Sequence, residues 1–139
     1  MIPNLKGHLV TSLVAFFEED VRRITHALDV LYQSEKLLES KSLTCDHDIV
    51  IAAALLHDVG IKPSEEKLGY NDGKTQEEYG PPIARAILEA IDFPADKTNV
   101  VCDIIGNHHS PSRYPYPELE LLKTADRIIN TRDLPPSRK

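Results

Sequence analysis

Apolar residues recur along this chain at three- and four-residue spacing, and no segment sustains the alternation of a half-buried strand. The period predicts an all-α protein of about six helices. The first is expected over residues 5–18. The second, over residues 19–40, carries Val21, Ile24, Leu28 and Leu31 on one stripe. Another stripe reads Arg22, His26, Val30, Gln33 and Leu37, so His26 shares a face with apolar side chains and two faces of this helix should be covered. The third opens at Asp46, a good N-cap, and runs through Ile49-Val50-Ile51-Ala52-Ala53-Ala54-Leu55-Leu56. It is apolar on every side, which marks a central buried helix.

Gly60 stands where a C-terminal cap glycine belongs, leaving His57 and Asp58 in the last turn of that helix. Residues 61–76, rich in Lys, Glu, Gly, Asn and Asp, read as a mobile loop with the character of a lid. A fourth helix is expected to start near Pro81-Pro82, since proline suits a first turn, and to continue to Ile91. The fifth is expected over residues 96–108 with Val100, Val101, Ile104 and Ile105 inward. Residues 110–117 hold three prolines and read as a loop, and the sixth helix follows over residues 118–130. The reading is one domain over residues 1–139, with a core at about 20–130 and a polar tail at 131–139. So short an ending is also what a truncated product would show.

Composition narrows the function. At 139 residues, folding buries roughly two thirds of the unfolded surface, enough for a core without disulfide or zinc staples. A formal charge of −6 argues against an extended nucleic acid as partner, though not against a nucleotide held locally through a metal. The longest apolar run, residues 49–56, is far short of the ~20 residues that a membrane helix requires. Met1-Ile2-Pro3-Asn4 lacks the basic-then-apolar order of a secretion signal. Cys45 and Cys102 form no CxxC motif, so a cytoplasmic location is expected.

Candidate chemistry lies in polar residues at core positions, where an unpartnered polar group costs several kcal/mol. Leu119, Leu122, Asp126 and Ile129 share a buried stripe with a carboxylate where Leu or Ile belongs. Pairing with Lys123 or Arg127 is the alternative explanation for Asp126. His57 and Asp58 follow directly on the most apolar helix, as a structural His–Asp hydrogen bond or as two ligands. His26 can be a satisfied core histidine, and His108-His109 a helix-end cap. Taken together, two imidazoles and two carboxylates suit a divalent first-row metal, and two Asp charges nearly cancel a dication. His8 and His47 fall in segments that read as exposed.

Four segments in order carry a further signal: Arg22-Arg23-Ile24-Thr25-His26, then Ala53-Ala54-Leu55-Leu56-His57-Asp58-Val59-Gly60-Ile61-Lys62, then Ile105-Gly106-Asn107-His108-His109, then Leu122-Lys123-Thr124-Ala125-Asp126-Arg127. This ordered set resembles the HD superfamily of metal-dependent phosphohydrolases over about residues 20–130. The resemblance implies a helical bundle with one divalent ion, of Mn, Fe, Co, Ni, Zn or Mg, held by His26, His57, Asp58 and Asp126. It implies hydrolysis of a phosphate ester, a small phosphorylated molecule such as a nucleotide, by a water that the metal activates. The alternative is a non-catalytic module that binds or senses metal or nucleotide. Two-metal relatives carry an additional histidine where this chain has Gln76, Glu77, Glu78 and Tyr79, so one metal is expected rather than two. Asp58, His108 and His109 are the expected catalytic groups. Arg22, one turn before His26, and Lys62, just after the His-Asp pair, are the expected phosphate contacts.

Overall fold

A computed structural model describes residues 3–41 and 44–133, and every regular element among them is a helix. Seven follow in order: α1 (Leu5–Phe17), α2 (Val21–Lys41), α3 (His47–Leu56), α4 (Ile61–Leu68), α5 (Gly73–Ala90), α6 (Ala95–Ile105) and α7 (Pro117–Arg132). The all-α expectation holds. Most of the polar tail, residues 134–139, lies outside the described residues.

The apolar run of α3 takes the centre. Asp46 caps it by accepting from the Ile49 N–H at 3.2 Å, and all eight residues from Ile49 to Leu56 are buried. Around it pack α1, α2, α6 and α7. Leu9, Val30, Leu55, Ile104 and Leu119 are fully enclosed there. On α2 the covered face runs through Ala27, Val30, Ser34 and Leu37, which lies towards α3 and α7. The stripe through Val21, Ile24, Leu28 and Leu31 is covered only in part: Leu31 is buried and Ile24 packs on the core, whereas Val21 and Leu28 are 67% and 40% exposed.

Residues 61–76 are not a loop. They fold into α4 and the first turn of α5, with only residues 69–72 between. The polar composition reflects solvent-facing positions, since α4 buries Ile61 and Ser64 alone. At the start of α5, Asp72 and Thr75 form a reciprocal capping box that satisfies the first N–H groups. Pro81 and Pro82 therefore lie inside this helix and do not begin it. An interior proline costs about 3 kcal/mol in an isolated helix, so tertiary packing has to hold this one. Gly80 provides it: a Cβ there would stand 2.7 Å from Ile105 Cγ2, so α5 and α6 touch almost backbone to side chain.

Gly60 has a different reason from the one its spacing suggests. Its φ of −71° is right-handed, so it is no left-handed cap. A Cβ there would lie 2.6 Å from the Gln76 carbonyl oxygen and 2.7 Å from the Gly80 nitrogen. The turn after His57-Asp58 thus runs hard against α5. That contact brings the first turns of α5 to the polar end of the bundle.

Candidate metal centre

Three elements deliver four side chains to one point. α2 carries His26, the turn closing α3 carries His57 and Asp58, and α7 carries Asp126. Asp126 stands among the buried Leu119, Leu122 and Ile129, so the apolar face of α7 turns it inward. His26 Nε2 lies 3.0 Å from Asp126 Oδ1 and 3.4 Å from Asp58 Oδ2. His57 Nε2 lies 3.3 Å from Asp58 Oδ2 and 3.4 Å from Asp126 Oδ1. Two ligands of one ion at about 2.1 Å are themselves about 3.0–3.4 Å apart, as these His–Asp pairs are. His26, His57 and Asp58 each offer a ligand atom within 4.8 Å of the other two, and Asp126 Oδ1 stands beside both imidazoles.

Which imidazole nitrogen faces inward is set by main chain. His57 Nδ1 donates to the Ala54 carbonyl at 2.7 Å, and His108 Nδ1 donates to the Ile105 carbonyl at 2.6 Å. Both rings belong to turns that close a helix, where the carbonyls three residues back lack an intrahelical partner. Each Nε2 is then left facing into the site, and both Nε2 atoms are buried without a hydrogen-bond partner. A hydrogen-bonded Nδ1–H behind a free Nε2 is the arrangement that metal-binding histidines use. These residues fit a divalent ion.

Electrostatics point the same way. Burial works against a charged His57, but the carboxylates of Asp58 and Asp126 outweigh it and raise the imidazole to about 9. Burial likewise works against the Asp126 anion, yet the hydrogen bond with His26 and the neighbouring His57 imidazole hold it well below the ordinary carboxylate range. Without an ion, then, this point retains a proton. A dication has to displace it.

His108 and His109 form a second cluster with Asp58, in which one ligand atom from each lies within 4.8 Å of the others. His108 Nε2 is 3.9 Å from Asp58 Oδ1. Burial first, then the neighbouring His57 and His109, push His108 down to about 3, so it is uncharged at neutral pH and cannot donate as an acid through Nε2. His109 is exposed and meets the first turn of α5: its Nε2 is 2.6 Å from Gln76 Oε1, and its backbone N–H donates to Glu77 Oε2 at 2.9 Å. Gln76 and Glu77 were legible only as the place where a histidine is missing. His8 and His47 are exposed and stand outside both clusters.

Two cavities flank the centre. One, of about 880 Å³, is bordered by Arg22, His26, Asp58 and Asn130. The other, of about 470 Å³, is bordered by His108, His109, Lys123, Asp126, Arg127 and Asn130. Arg22 thus stands beside the predicted ligands. Lys62 does not. Its Nζ donates to the Phe16 carbonyl at 2.8 Å and to Glu18 Oε1 at 2.9 Å, because α4 turns it towards the C-terminal end of α1, where a cation is favoured. Lys123 makes no ion pair with Asp126; it donates to the Ser110 carbonyl at 2.6 Å and to Ser112 Oγ at 2.7 Å, at the edge of the smaller cavity. No helix of the described residues is long and apolar enough to cross a membrane.

Compared with known proteins, residues 23–131 match the profile of the HD domain family. Neither the search of curated proteins nor that of solved structures gave a match.

Proposed function

The chain belongs to the HD domain family, whose members are metal-dependent phosphohydrolases, and from that premise we propose that it hydrolyses the phosphate ester of a small molecule, with nucleotides as the first class to test. One observation carries this reading: His26, His57 and Asp58 each offer a ligand atom within 4.8 Å of the other two, Asp126 Oδ1 lies 3.0 and 3.4 Å from the two imidazoles, and the buried Nε2 of His57 has no hydrogen-bond partner. When bound, a divalent ion supplies Lewis acidity, lowering the pKa of water and neutralising phosphate charge. The four side chains would hold and orient that ion.

Asp58 belongs to both clusters, so its carboxylate is the group we assign to orienting the attacking water and accepting its hydrogen bond. His108, uncharged, serves as an acceptor through Nε2, and His109 is the one free to exchange a proton with the leaving group. Arg22 in the larger cavity, with Lys123 and Arg127 in the smaller, provides cations for phosphate oxygens on either side of the centre. We take the whole chain as one HD domain acting in the cytosol, where two unpaired cysteines, Cys45 and Cys102, are at home.

The test is Asp126→Ala. Bound divalent metal and phosphatase activity on a panel of nucleotides and an aryl phosphate should both disappear while the helical circular-dichroism signal persists. Unchanged metal content would overturn the site.

A further inference from the structure

The hydrogen bond between His109 and Gln76 is the end of a chain that crosses the site's outer wall. Gln76 Nε2 donates to Asn71 Oδ1 at 2.9 Å, and Asn71 Nδ2 donates to Glu65 Oε2 at 2.8 Å. Both Glu65 oxygens accept from the Arg23 guanidinium, at 3.0 and 3.1 Å, and Arg23 also holds Asp20. Arg23 lies one turn before His26 on α2. The chain therefore links the His108-His109 turn to the helix that carries His26, through α5, the α4–α5 connection and α4.

Direction in such a chain is imposed from its ends. A guanidinium only donates and an ionised carboxylate only accepts. Asn71 must then turn its NH2 to Glu65, which leaves its oxygen for Gln76. Gln76 must turn its NH2 to Asn71, which leaves Oε1 for His109. An amide oxygen cannot donate, so His109 must present Nε2–H. Neither amide can flip without setting two acceptors or two donors face to face.

Two further contacts seat the same ring. A Cβ on Gly73 would come within 2.8 Å of His109 Cβ, so the first residue of α5 has to be glycine for the ring to lie there. Glu77 takes the His109 backbone N–H and, at 2.7 Å, the Ser110 hydroxyl. The first turn of α5 is thus shaped around His109.

We propose that Gln76 is a positioning residue: it fixes the His109 proton on Nε2, and Nδ1 is left as the nitrogen that takes up or gives a proton, or meets a ligand. The role parallels that of a carboxylate that fixes the tautomer of a catalytic histidine, with a neutral amide in its place. The catalytic consequence rests on the reading of this site as a phosphohydrolase centre, but the tautomer does not.

Two-bond 1H–15N correlation spectra of the full chain, 15N-labelled at histidine and freed of metal by a chelator, separate the two matters. His109 is assigned by its loss in His109→Asn. The expected pattern is a protonated Nε2 and an unprotonated Nδ1; a proton on Nδ1 instead would overturn the proposal whatever the enzyme assays show. Gln76→Glu, which still accepts from Nε2–H, should keep that pattern, and Gln76→Met should give mixed tautomers. With metal restored, Gln76→Met should lower kcat about 10-fold or more with KM and metal content little changed, and Gln76→Glu should recover most of it. A Gln76→Met spectrum identical to that of the parent would also overturn the assignment.

Discussion

On one side of Asp58 stand His26 and His57, backed by the second carboxylate of Asp126; on the other stand His108 and His109, and the Glu77 carboxylate there is already engaged by a main-chain N–H and a serine hydroxyl. The first cluster holds His57 at about 9, and the second holds His108 at about 3. Two buried histidines with the same main-chain anchor thus differ because two anions face one and two imidazoles crowd the other. Burial alone makes an imidazole neutral; burial beside paired carboxylates makes a cation trap. The contrast assigns metal holding to the first cluster and handling of substrate and protons to the second.

The largest effect should come from breaking what the clusters share. Asp58→Asn is expected to abolish metal binding and to reduce kcat/KM by about 10³-fold or more, since it removes a ligand and the group that orients water. Metal analysis and a phosphatase assay on the same preparation check it. His108→Gln should separate the two sides: kcat/KM falls by about 10²-fold while the metal content stays near that of the parent. Parallel loss of metal would place His108 with the ligands and erase the distinction.

Much of this contrast was legible in the residues alone. Asp126 on a stripe of Leu119, Leu122 and Ile129, and His57-Asp58 at the end of a helix apolar on every side, violate local patterning strongly enough to be seen. The second cluster's surroundings were not, because they depend on contacts distant in sequence. Polar residues over 61–76 read as loop because α4 buries only two side chains, and the Asp72–Thr75 cap was hidden by the more conspicuous Pro81-Pro82. Gly60 marked a turn correctly but for close approach to α5, not for a left-handed cap. Lys62 shows the same limit: four residues after Asp58 in sequence, it leaves the site because α4 begins between them.

A pH series on the metal-free protein sharpens the comparison at the level of stability. His57 has a folded-state pKa near 9 against 6.5 when free, so its stabilisation is complete below 6.5 and is lost as pH rises towards 9. His108 lies near 3 when folded, so its contribution is complete above 6.5 and is lost as pH falls below that. Asp126, held low, adds to the acid loss as pH falls below 3.8. Chemical denaturation in the presence of chelator should therefore peak near pH 6.5. Saturating metal, which takes the place of the His57 proton, should remove the alkaline decline. A metal-free curve that climbs steadily to pH 9 would deny the charge difference between the clusters.

The smallest effect is expected outside both. Lys62→Ala should leave kcat/KM within about twofold of the parent and cost about 1 kcal/mol or less, because its partners are the Phe16 carbonyl and the exposed Glu18. A large loss of activity would return Lys62 to the substrate's side.

The most direct test of the central claim is the position of the ion itself. Anomalous diffraction from crystals soaked in Mn²⁺ or Zn²⁺ should show one strong peak within coordination distance of His26 Nε2, His57 Nε2, Asp58 and Asp126. A peak held only by Asp58, His108 and His109, or none at this end of the bundle, would contradict it.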